Sequence, residues 1–512
     1  RKMAARGQVE FIGGGYYEPI YAILPKRDRL AQMNKLSSFI REQFDIDVKG
    51  AWLTERVWEP HYPSFLNEAG LKYVIVDDNH FRSCGLTQEE TLYTYETEDE
   101  GKTVRIFPIN EPIRYLIPWK PVTHLVDYLR SVTDKKGDRV AVFISDAEKM
   151  GVWGSTHQIC YEEGKGHQDG DCGKPFIPTL LKSIEEHDWI KSVTLSEYME
   201  SHRAKSLVYL PTASYDKMEE WVLPTNTRRE FKVLRKQLKD NHHREKEYQF
   251  LKGGFWRYFL VKYPESNNMH KKMLHVRAKL IKAEERLEQK EDPELKSKVQ
   301  PLMEEAWDEI HMAQCNDCYW HGLFGGIYLQ FLRFAIYTHL IKAEKKIDEI
   351  HSLFFPDLDY RVSVFPTDFN KDSHVDVLME STCTNLYVNP SDGGTIFEWD
   401  HKAEEYNLLN TLTRWEEAYH TSDKINASEV LNDAHRRSML RLRVVHAGIQ
   451  LKQLHEDEYL ELGDFVDGEF EVLKMEKDDR RGGVEMRKEG TVRDPHSDKH
   501  YPLEIRKKID MR

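Results

Sequence analysis

The chain has 512 residues, a length at which two or three domains are expected rather than one. Hydrophobic residues make up 40% of it and charged residues 31%, a balance typical of globular proteins. The net charge of −13 argues against nucleic-acid binding and against binding to anionic membranes. No apolar run approaches the roughly 20 residues that span a bilayer, so we expect no membrane segment.

Strands and helices alternate in the first part of the chain, from residue 8 to about 200. Short apolar runs predict buried strands at Val9–Gly13, Gly50–Thr54, Tyr73–Asp77, Val104–Pro108, Val140–Ser145 and Ser192–Leu195. Amphipathic stretches between them predict helices at Arg27–Phe44, Tyr62–Ala69 and Val122–Val132. This alternation implies a parallel sheet covered by helices, arranged as a closed or nearly closed barrel. In such a barrel the active site lies at the C-terminal ends of the strands.

Later parts of the chain change in character twice. Residues 226–350 are rich in Lys, Glu, Leu and Ala and predict helices at Arg228–Leu251, Met269–Gln289, Pro293–Ala313 and Leu323–Ile347. From about residue 354, turn residues separate short runs that predict a β-sandwich, with strands at Tyr360–Phe365, His374–Glu380, Thr384–Asn389, Thr395–Trp399 and within 458–474. We therefore predict a catalytic barrel at 1–225, a helical domain that completes the active-site cleft at 226–350, and a β-sandwich domain at 351–512.

The cysteines indicate a compartment rather than a site. Six cysteines are few for this length, which favours a reducing compartment, the cytoplasm, over a disulfide framework. Cys315 and Cys318 form a single C-x-x-C pair, whereas a structural zinc site needs four ligands. We interpret both as helix residues in an aromatic-rich segment, and we predict no metal and no cofactor.

Two carboxylates follow predicted strands about ninety residues apart. Glu55 lies in W-L-T-E-R-V-W-E-P at residues 52–60, and Asp146 lies in F-I-S-D-A-E-K-M-G-V-W at residues 143–153. A pair of carboxylates at strand ends beside tryptophans is what glycoside chemistry uses, one as nucleophile and one as general acid/base. From the residues alone two other interpretations stand. Glu55 would then belong to a buried ion pair at a barrel rim, and Asp146 would cap a helix.

Two further segments and several tryptophans are candidates for substrate contact. G-G-G-Y-Y-E-P at residues 13–19 places Glu18 after a strand, where it either lines a pocket or fixes a loop. A-Q-C-N-D-C-Y-W-H-G at residues 313–322 either reaches into a cleft or forms a packing seam, and its candidates are Asp317, Trp320 and His321. Flat apolar faces that suit sugar rings are offered by Trp52, Trp58 and Trp153.

Taken in chain order, the four segments at 13–19, 52–60, 143–153 and 313–322 resemble the signature motifs of glycoside hydrolase family 57. They most closely resemble those of its 4-α-glucanotransferase and α-amylase branch. The similarity extends to K-Y-P-E-S-N-N-M-H-K-K-M and to the late L-G-D-F-V. The resemblance implies an incomplete (β/α)7 barrel followed by a helical region and a C-terminal β-sandwich. It also implies a retaining 4-α-glucanotransferase that acts on α-1,4-glucans or maltooligosaccharides, with Glu55 as nucleophile and Asp146 as general acid/base. The residues that it places in the glucan site are Glu18, Trp52, Trp153, Asp317, Trp320 and His321.

Three departures from the family pattern keep alternatives open. The fourth motif usually reads close to H-D-D-G-E-K-F-G, whereas Ile144, Ser145 and Ala147 surround Asp146 here. The family's first motif, a histidine-rich H-Q-P segment, should lie upstream of Arg1, and we expect the sandwich to be incomplete at Arg512, so we predict a fragment that lacks both ends. The alternatives are an α-amylase-type hydrolase, a non-catalytic glucan-binding homologue, and a helical interaction protein built on 226–350. A homo-oligomer is compatible with each.

Overall fold

The chain divides into two units, the first formed by residues 1–223 and 230–257 and the second by residues 224–229 and 258–512. The computed structural model describes residues 1–162, 173–241, 245–356, 362–420, 430–456, 458–478, 480–497 and 499–511. Part of the predicted strand Tyr360–Phe365 lies outside the described residues. The division into three domains stays a prediction.

A mainly parallel sheet forms the core of the first unit. Its strands, in spatial order β1–β2–β4–β3, are β1 (Gly50–Trp52), β2 (Tyr73–Val76), β3 (Tyr95–Asp99) and β4 (Lys102–Pro108). The pairs β1–β2 and β2–β4 are parallel, and β3 runs antiparallel to β4. Single parallel bridges, Gly13 to Ala51 and Ile109 to Val142, extend the sheet on both sides.

Helices cover this sheet, as the alternating pattern predicts. Up to residue 257 they are α1 (Lys2–Ala5), α2 (Lys26–Phe44), α3 (Tyr62–Glu68), α4 (Asp78–Arg82), α5 (Glu111–Leu116), α6 (Val122–Val132), α7 (Thr156–Tyr161), α8 (Phe176–Glu186), α9 (Leu195–Ser201), α10 (Asp216–Trp221), α11 (Thr225–Asp240) and α12 (Glu245–Tyr248). Short 3-10 turns lie at Tyr21–Ile23, Thr54–Arg56, Glu90–Leu92, Ala147–Met150 and Trp256–Tyr258. The helix predicted at Val122–Val132 is confirmed at both ends.

Several predicted strands are shorter than expected. Val9–Gly13 and Val140–Ser145 each contribute one bridging residue, and Ser192–Leu195 forms no strand, since α9 begins at Leu195. The sequence pattern missed β3, because its charged residues alternate with buried ones and we looked for continuous apolar runs. Such alternation is typical of a strand with one face toward solvent.

The second unit combines long helices with two antiparallel sheets. Its helices are α13 (Phe259–Lys262), α14 (Pro264–Glu288), α15 (Pro293–Met312), α16 (Gln330–Phe354) and α17 (Leu451–His455), with 3-10 turns at Asn316–Tyr319 and Gly326–Tyr328. One sheet has the order β5 (Val362–Thr367), β6 (Asp376–Ser381), β7 (Thr384–Asn389), β8 (Thr395–His401) and β9 (Tyr406–Asn407). The other has the order β10 (Glu471–Lys477), β11 (Gly482–Arg493) and β12 (His500–Met511).

Apolar side chains from both sheets form one buried cluster, which includes Val377, Met379, Val388, Val484 and Met486. Two sheets that bury their facing sides against each other make a β-sandwich. The parallel sheet of the first unit and the antiparallel sheets of the second confirm the predicted fold class.

A buried ionic network ties α14 and α16 to the five-stranded sheet. The ammonium of Lys272, on α14, lies 3.0 Å from Glu344 of α16 and 2.9 and 2.8 Å from Glu398 and Asp400 of β8. All four side chains are buried. Desolvation by itself would lower the pKa of Lys272, but the three carboxylates outweigh it and raise that pKa.

Among the described residues, no helix has both the length and the apolar character needed to cross a bilayer.

Candidate active site

Glu55 is held in a tight turn immediately beyond strand β1. The strand ends at Trp52, and the 3-10 turn Thr54–Arg56 follows. Glu55 and Arg56 both have a φ of 53°, in the left-handed region that residues with a side chain rarely adopt. Two such residues in succession cost about 1–3 kcal/mol each, so packing around the turn must hold them there.

Tyr215 is the main partner of the Glu55 carboxylate. Its hydroxyl donates a hydrogen bond of 2.8 Å to Glu55 Oε2. Burial and the nearby Glu55 charge raise the pKa of Tyr215 well above its ordinary value, so the phenol keeps its proton and donates. The guanidinium of Arg56 lies 4.0 Å from the centre of the Tyr215 ring and also pairs with Asp77 at 2.9 Å. Tyr215 is thereby held between the turn and the end of the next strand.

His80 supports the turn from inside the protein. Its ring nitrogens lie 3.1 Å from the carbonyl oxygen of Arg56 and 3.0 Å from that of Asp77. The ring is fully buried, and burial lowers the pKa of His80 to about 4, so the imidazole is neutral near pH 7. A neutral ring has one N–H to donate, which fixes one of these two carbonyl groups at any time.

A polar cleft of about 740 Å³ opens beside the turn, and Arg56, Asp77 and Tyr215 are among its lining residues. Other lining residues carry charges of both signs and include Glu111, Arg114, Asp216, Glu220, Lys232 and Arg235. A sugar chain offers hydroxyl groups that donate and accept hydrogen bonds, and charged side chains form the stronger bonds of this kind. The cleft therefore suits a polyhydroxylated ligand.

Asp146 lies after the bridging residue Val142, at the start of the 3-10 turn Ala147–Met150. Its side chain is 48% exposed, and its Oδ2 lies 3.4 Å from the guanidinium of Arg114. Arg114 also lines the cleft beside Glu55, and it donates a bond of 3.2 Å to the carbonyl oxygen of Ile144. The structure thus connects the candidate acid/base to the cleft of the candidate nucleophile through one arginine.

Lys149 binds the main chain of Arg114. Its ammonium donates to the main-chain oxygen of Arg114 over 2.5 Å and is buried. Burial and the Arg114 charge lower the pKa of Lys149 to about 8, although Asp146 acts in the opposite direction.

The hydroxyl of Ser145, which stands where the family pattern has an acid, is buried and makes no hydrogen bond among the described residues.

The remaining candidates of the first unit lie in different environments. Glu18 is exposed and has a φ of 49°, whereas Trp52 is half-buried and packs against the cluster around Ile75. Trp153 is 39% exposed, as a sugar-stacking ring requires. The interpretation of Trp58 as a stacking residue is wrong, because it is fully buried and its indole donates to the carbonyl oxygen of Leu210. For the other three, substrate contact stays a prediction.

The candidates of the second unit form a second group. Asp317 is an exposed residue with a partly desolvated carboxyl group, and that desolvation raises its pKa. Trp320 donates its indole N–H to Asn316 over 2.8 Å. His321 is buried, with Nδ1 2.8 Å from the oxygen of Gly325 and Nε2 3.1 Å from the hydroxyl of Tyr419. Their roles in substrate binding remain predictions, and His321 is already engaged by protein groups on both ring nitrogens.

The C-x-x-C pair begins a 3-10 turn rather than lying within a helix, since Cys315 precedes the turn Asn316–Tyr319. The thiol of Cys318 is buried 3.7 Å from the sulfur of Met269. In the described part of the chain, no three His, Cys, Asp or Glu residues are placed to hold a metal ion.

Sequence inspection missed three residues that define the site, Tyr215, Arg114 and His80. Tyr215 lies 160 positions from Glu55 and belongs to none of the four motifs. His80 had a signal, since it follows Asp77 and Asp78 at the end of a predicted strand. A polar residue at such a position is a candidate for holding a neighbouring turn.

Replacing Tyr215 by phenylalanine is expected to lower kcat/KM for glucan processing about 10- to 100-fold, because a hydrogen bond to a charged group is lost. Steady-state kinetics on maltooligosaccharides measure the effect. Tyr209→Phe is the matched control, because Tyr209 is an exposed tyrosine that donates to Glu98 over 2.9 Å. Equal behaviour of the two variants would contradict the role given to Tyr215.

A barrel-type parallel sheet that carries strand-end carboxylates beside a polar cleft is the architecture of many glycoside-processing enzymes. Comparison with known proteins gives the family. Residues 1–211 match the model of glycosyl hydrolase family 57. Residues 254–347 match the alpha-amylase/4-alpha-glucanotransferase middle domain, and residues 368–430 and 421–512 match the corresponding C-terminal domain.

Two relatives and one solved structure show how far the similarity extends. "Alpha-amylase 1" of Dictyoglomus thermophilum is 40% identical over 428 residues, which cover 83% of this chain and 57% of the relative. The 4-alpha-glucanotransferase of Thermococcus litoralis is 35% identical over 535 residues, which cover 100% of this chain and 73% of the relative. The crystal structure of the Thermococcus litoralis enzyme superposes with a TM-score of 0.84 at 36% identity, covering 99% of this chain and 72% of that one. The chain belongs to glycosyl hydrolase family 57.

Proposed function

We propose that this protein is a retaining 4-α-glucanotransferase that acts on α-1,4-glucans through a covalent glycosyl-enzyme intermediate. The observation that carries the proposal is the placement of Glu55. It lies on a strained turn at a strand end, with one carboxylate oxygen bound by the Tyr215 hydroxyl, beside a polar cleft. The family membership and the names of the Thermococcus relatives support the same conclusion.

In the first step, Glu55 attacks the anomeric carbon of the donor glucan, while Asp146 protonates the oxygen of the bond that breaks. The part of the donor beyond that bond leaves as an alcohol, and the rest stays on Glu55 as an ester. The hydrogen bond from Tyr215 holds the Glu55 carboxylate in position before the attack.

In the second step, Asp146 removes the proton from the 4-hydroxyl of an acceptor glucan, and that oxygen displaces Glu55 from the anomeric carbon. Two successive inversions restore the α configuration. Arg114, at 3.4 Å from Asp146, orients this carboxylate toward the cleft that it also lines.

Hydrolysis is the second candidate, because the Dictyoglomus relative is named an alpha-amylase. It uses the same two steps with water as the acceptor. A third candidate, a non-catalytic glucan-binding homologue, is favoured by Ser145, which removes the acidic neighbour of Asp146. We place the protein in a reducing compartment such as the cytoplasm, a proposal that the free thiols of Cys84, Cys160, Cys318 and Cys383 support.

Incubation of the protein with maltotriose, followed by separation of the products, distinguishes the three candidates. Transfer gives oligosaccharides longer than maltotriose together with glucose. Hydrolysis gives glucose and maltose without longer products, and a binding protein leaves maltotriose unchanged. Products with no increase in chain length would overturn the transferase assignment.

A further inference from the structure

Oxygen-bearing side chains alternate along the loop between strands β5 and β6. The loop follows Thr367, and the next strand begins at Asp376. Residues 368–376 read D-F-N-K-D-S-H-V-D. The alternate positions therefore carry Asp, Asn, Asp, His and Asp, and all of these except the histidine have side-chain oxygens. The loop belongs to the second unit and contains none of the candidate residues of the glucan site.

The loop curls around the carboxylate of Asp368. The main-chain N–H groups of Asp372 and Ser373 donate to its two oxygens over 3.1 and 3.3 Å. Lys371 and Ser373 take left-handed conformations, with φ of 65° and 73°, and these allow the chain to turn so tightly. The carboxylate of Asp368 thereby fixes the main chain at Asp372 and Ser373.

Asp376 is the observation that points to a ligand. The residue is 1% exposed, and its Oδ2 accepts the N–H of Phe369, so the carboxylate lies within the loop. Its other oxygen, Oδ1, is buried and has no hydrogen-bond partner in the described structure. A buried carboxylate oxygen without a donor is costly, and such a group is normally paired, protonated or bound to a metal.

Neighbouring negative charges further destabilise the buried carboxylate of Asp376. The carboxylates of Asp372 and Asp368 lie close enough to repel the charge of Asp376. The closest cation of the loop, Lys371, donates its ammonium to the main-chain oxygen of Asp368 over 2.6 Å. Three carboxylates thus lie in one short loop, and among the described residues Asp376 Oδ1 has no hydrogen-bond partner.

We propose that the loop 368–376 binds a calcium ion, with carboxylate oxygens of Asp368, Asp372 and Asp376 and the amide oxygen of Asn370 as ligands. This proposal does not depend on the proposed activity. An all-oxygen donor set at positions 1, 3, 5 and 9 of a loop is what Ca²⁺ takes, whereas Zn²⁺ selects nitrogen and sulfur and Mg²⁺ demands a rigid octahedron.

Two features of the loop set the expected affinity. The carboxylates do not yet converge on one point, since no group of three such side chains in the described residues is placed as a metal site. Binding therefore includes a closure of the loop. The residue at position 12 is Met379 rather than a bidentate glutamate. Both features favour weak binding, with a Kd of about 10⁻⁴–10⁻³ M.

The first experiment measures thermal unfolding of the full chain in EGTA and in CaCl2. At about ten times the expected Kd, Ca²⁺ should raise the Tm of the second unit by about 2–4 °C. MgCl2 at the same concentration should have a much smaller effect. A Tm that does not respond to Ca²⁺, or that responds equally to Mg²⁺, would overturn the proposal.

The second experiment uses Tb³⁺ luminescence, sensitised by nearby aromatic rings, and its displacement by Ca²⁺. Asp376→Asn and Asp372→Asn should each abolish the displaceable signal. Asp372 has a 44% exposed side chain, so its variant is expected to fold even if Asp376→Asn does not. Asp494→Asn is the matched control, because Asp494 also accepts a turn N–H, from His496 over 2.9 Å, and should keep the wild-type signal. Retention of the signal in Asp372→Asn, or its loss in Asp494→Asn, would contradict the assignment.

Discussion

Replacing Glu55 by glutamine is expected to reduce the disproportionation of maltooligosaccharides by at least about 10⁴-fold, which is the scale of loss when a covalent nucleophile is removed. Glutamine keeps the shape of the side chain and still accepts a bond from Tyr215, so the turn and the cleft should persist. Binding of maltotriose, measured by calorimetry, should therefore change little while turnover disappears. A fully active variant would show that Glu55 is not the nucleophile.

Azide, as an external nucleophile, tests which carboxylate is the nucleophile and which is the acid/base, in variants that replace each carboxylate by glycine. In Glu55→Gly, azide can take the place of the nucleophile and should yield a β-glycosyl azide from an activated α-glucosyl donor. In Asp146→Gly, azide should attack the ester on Glu55 from the opposite face and yield the α-azide. Glu200→Gln, which alters only an exposed ion pair with Lys49, is the control that should keep wild-type activity. If Glu55→Gly gave the α-azide and Asp146→Gly gave the β-azide, Asp146 would be the nucleophile and Glu55 the acid/base.

Replacing Lys272 by methionine is expected to lower the free energy of unfolding of the second unit by about 3–5 kcal/mol, because it removes the cation that Glu344, Glu398 and Asp400 share. Methionine nearly matches the volume of lysine, so the loss reports charge rather than a cavity. Glu344, Glu398 and Asp400 would each lose a neighbour within 3.0 Å. Scanning calorimetry at pH 7 measures the effect as a fall in Tm.

Acidification should narrow the difference between Lys272→Met and the wild type. Burial would raise the pKa of Glu344, but Lys272 and Lys279 outweigh it and hold that pKa below the ordinary value. The wild type therefore loses this stabilisation as the pH falls below about 4.3, the pKa of an unfolded glutamate. In the variant the same carboxylates are protonated more easily, so acid relieves their repulsion. Lys298→Met, which removes an exposed pair with Glu294, is the control and should melt with the wild type at each pH. If the Tm of Lys272→Met and that of Lys298→Met changed equally with pH, the stabilising role of the Lys272 network would be contradicted.

The sequence predicted the long and strongly patterned elements well. Helix α6 and strand β7 have the predicted bounds, since their apolar residues follow one period without interruption. Within 458–474 we expected a strand, but β10 runs from Glu471 to Lys477, mostly exposed and charged. Exposed strands carry little apolar signal, because their neighbours in the sheet rather than their burial determine where they form.

The candidate site could be predicted only where its chemistry lies in local motifs. Glu55 and Asp146 follow predicted strands, and the C-terminal ends of parallel strands meet at one edge of a sheet. Tyr215 and Arg114 could not be found, because their contacts with these carboxylates span 160 and 32 positions and depend on side-chain direction. Trp58 was interpreted as a stacking residue because its flat ring suits a sugar, whereas that ring fills the core of the first unit. Lys272 did carry a signal, since it lies between Met269 and Val276 on the buried face of α14.

The left-handed turn at Glu55 also has a consequence for how this chain can change over generations. Glycine adopts a positive φ without steric penalty, so folding alone would favour glycine at positions 55 and 56. A population selected only for heat resistance should drift toward that residue and lose turnover as it gains stability. The proposed nucleophile therefore occupies a position where folding stability and the proposed chemistry favour different residues.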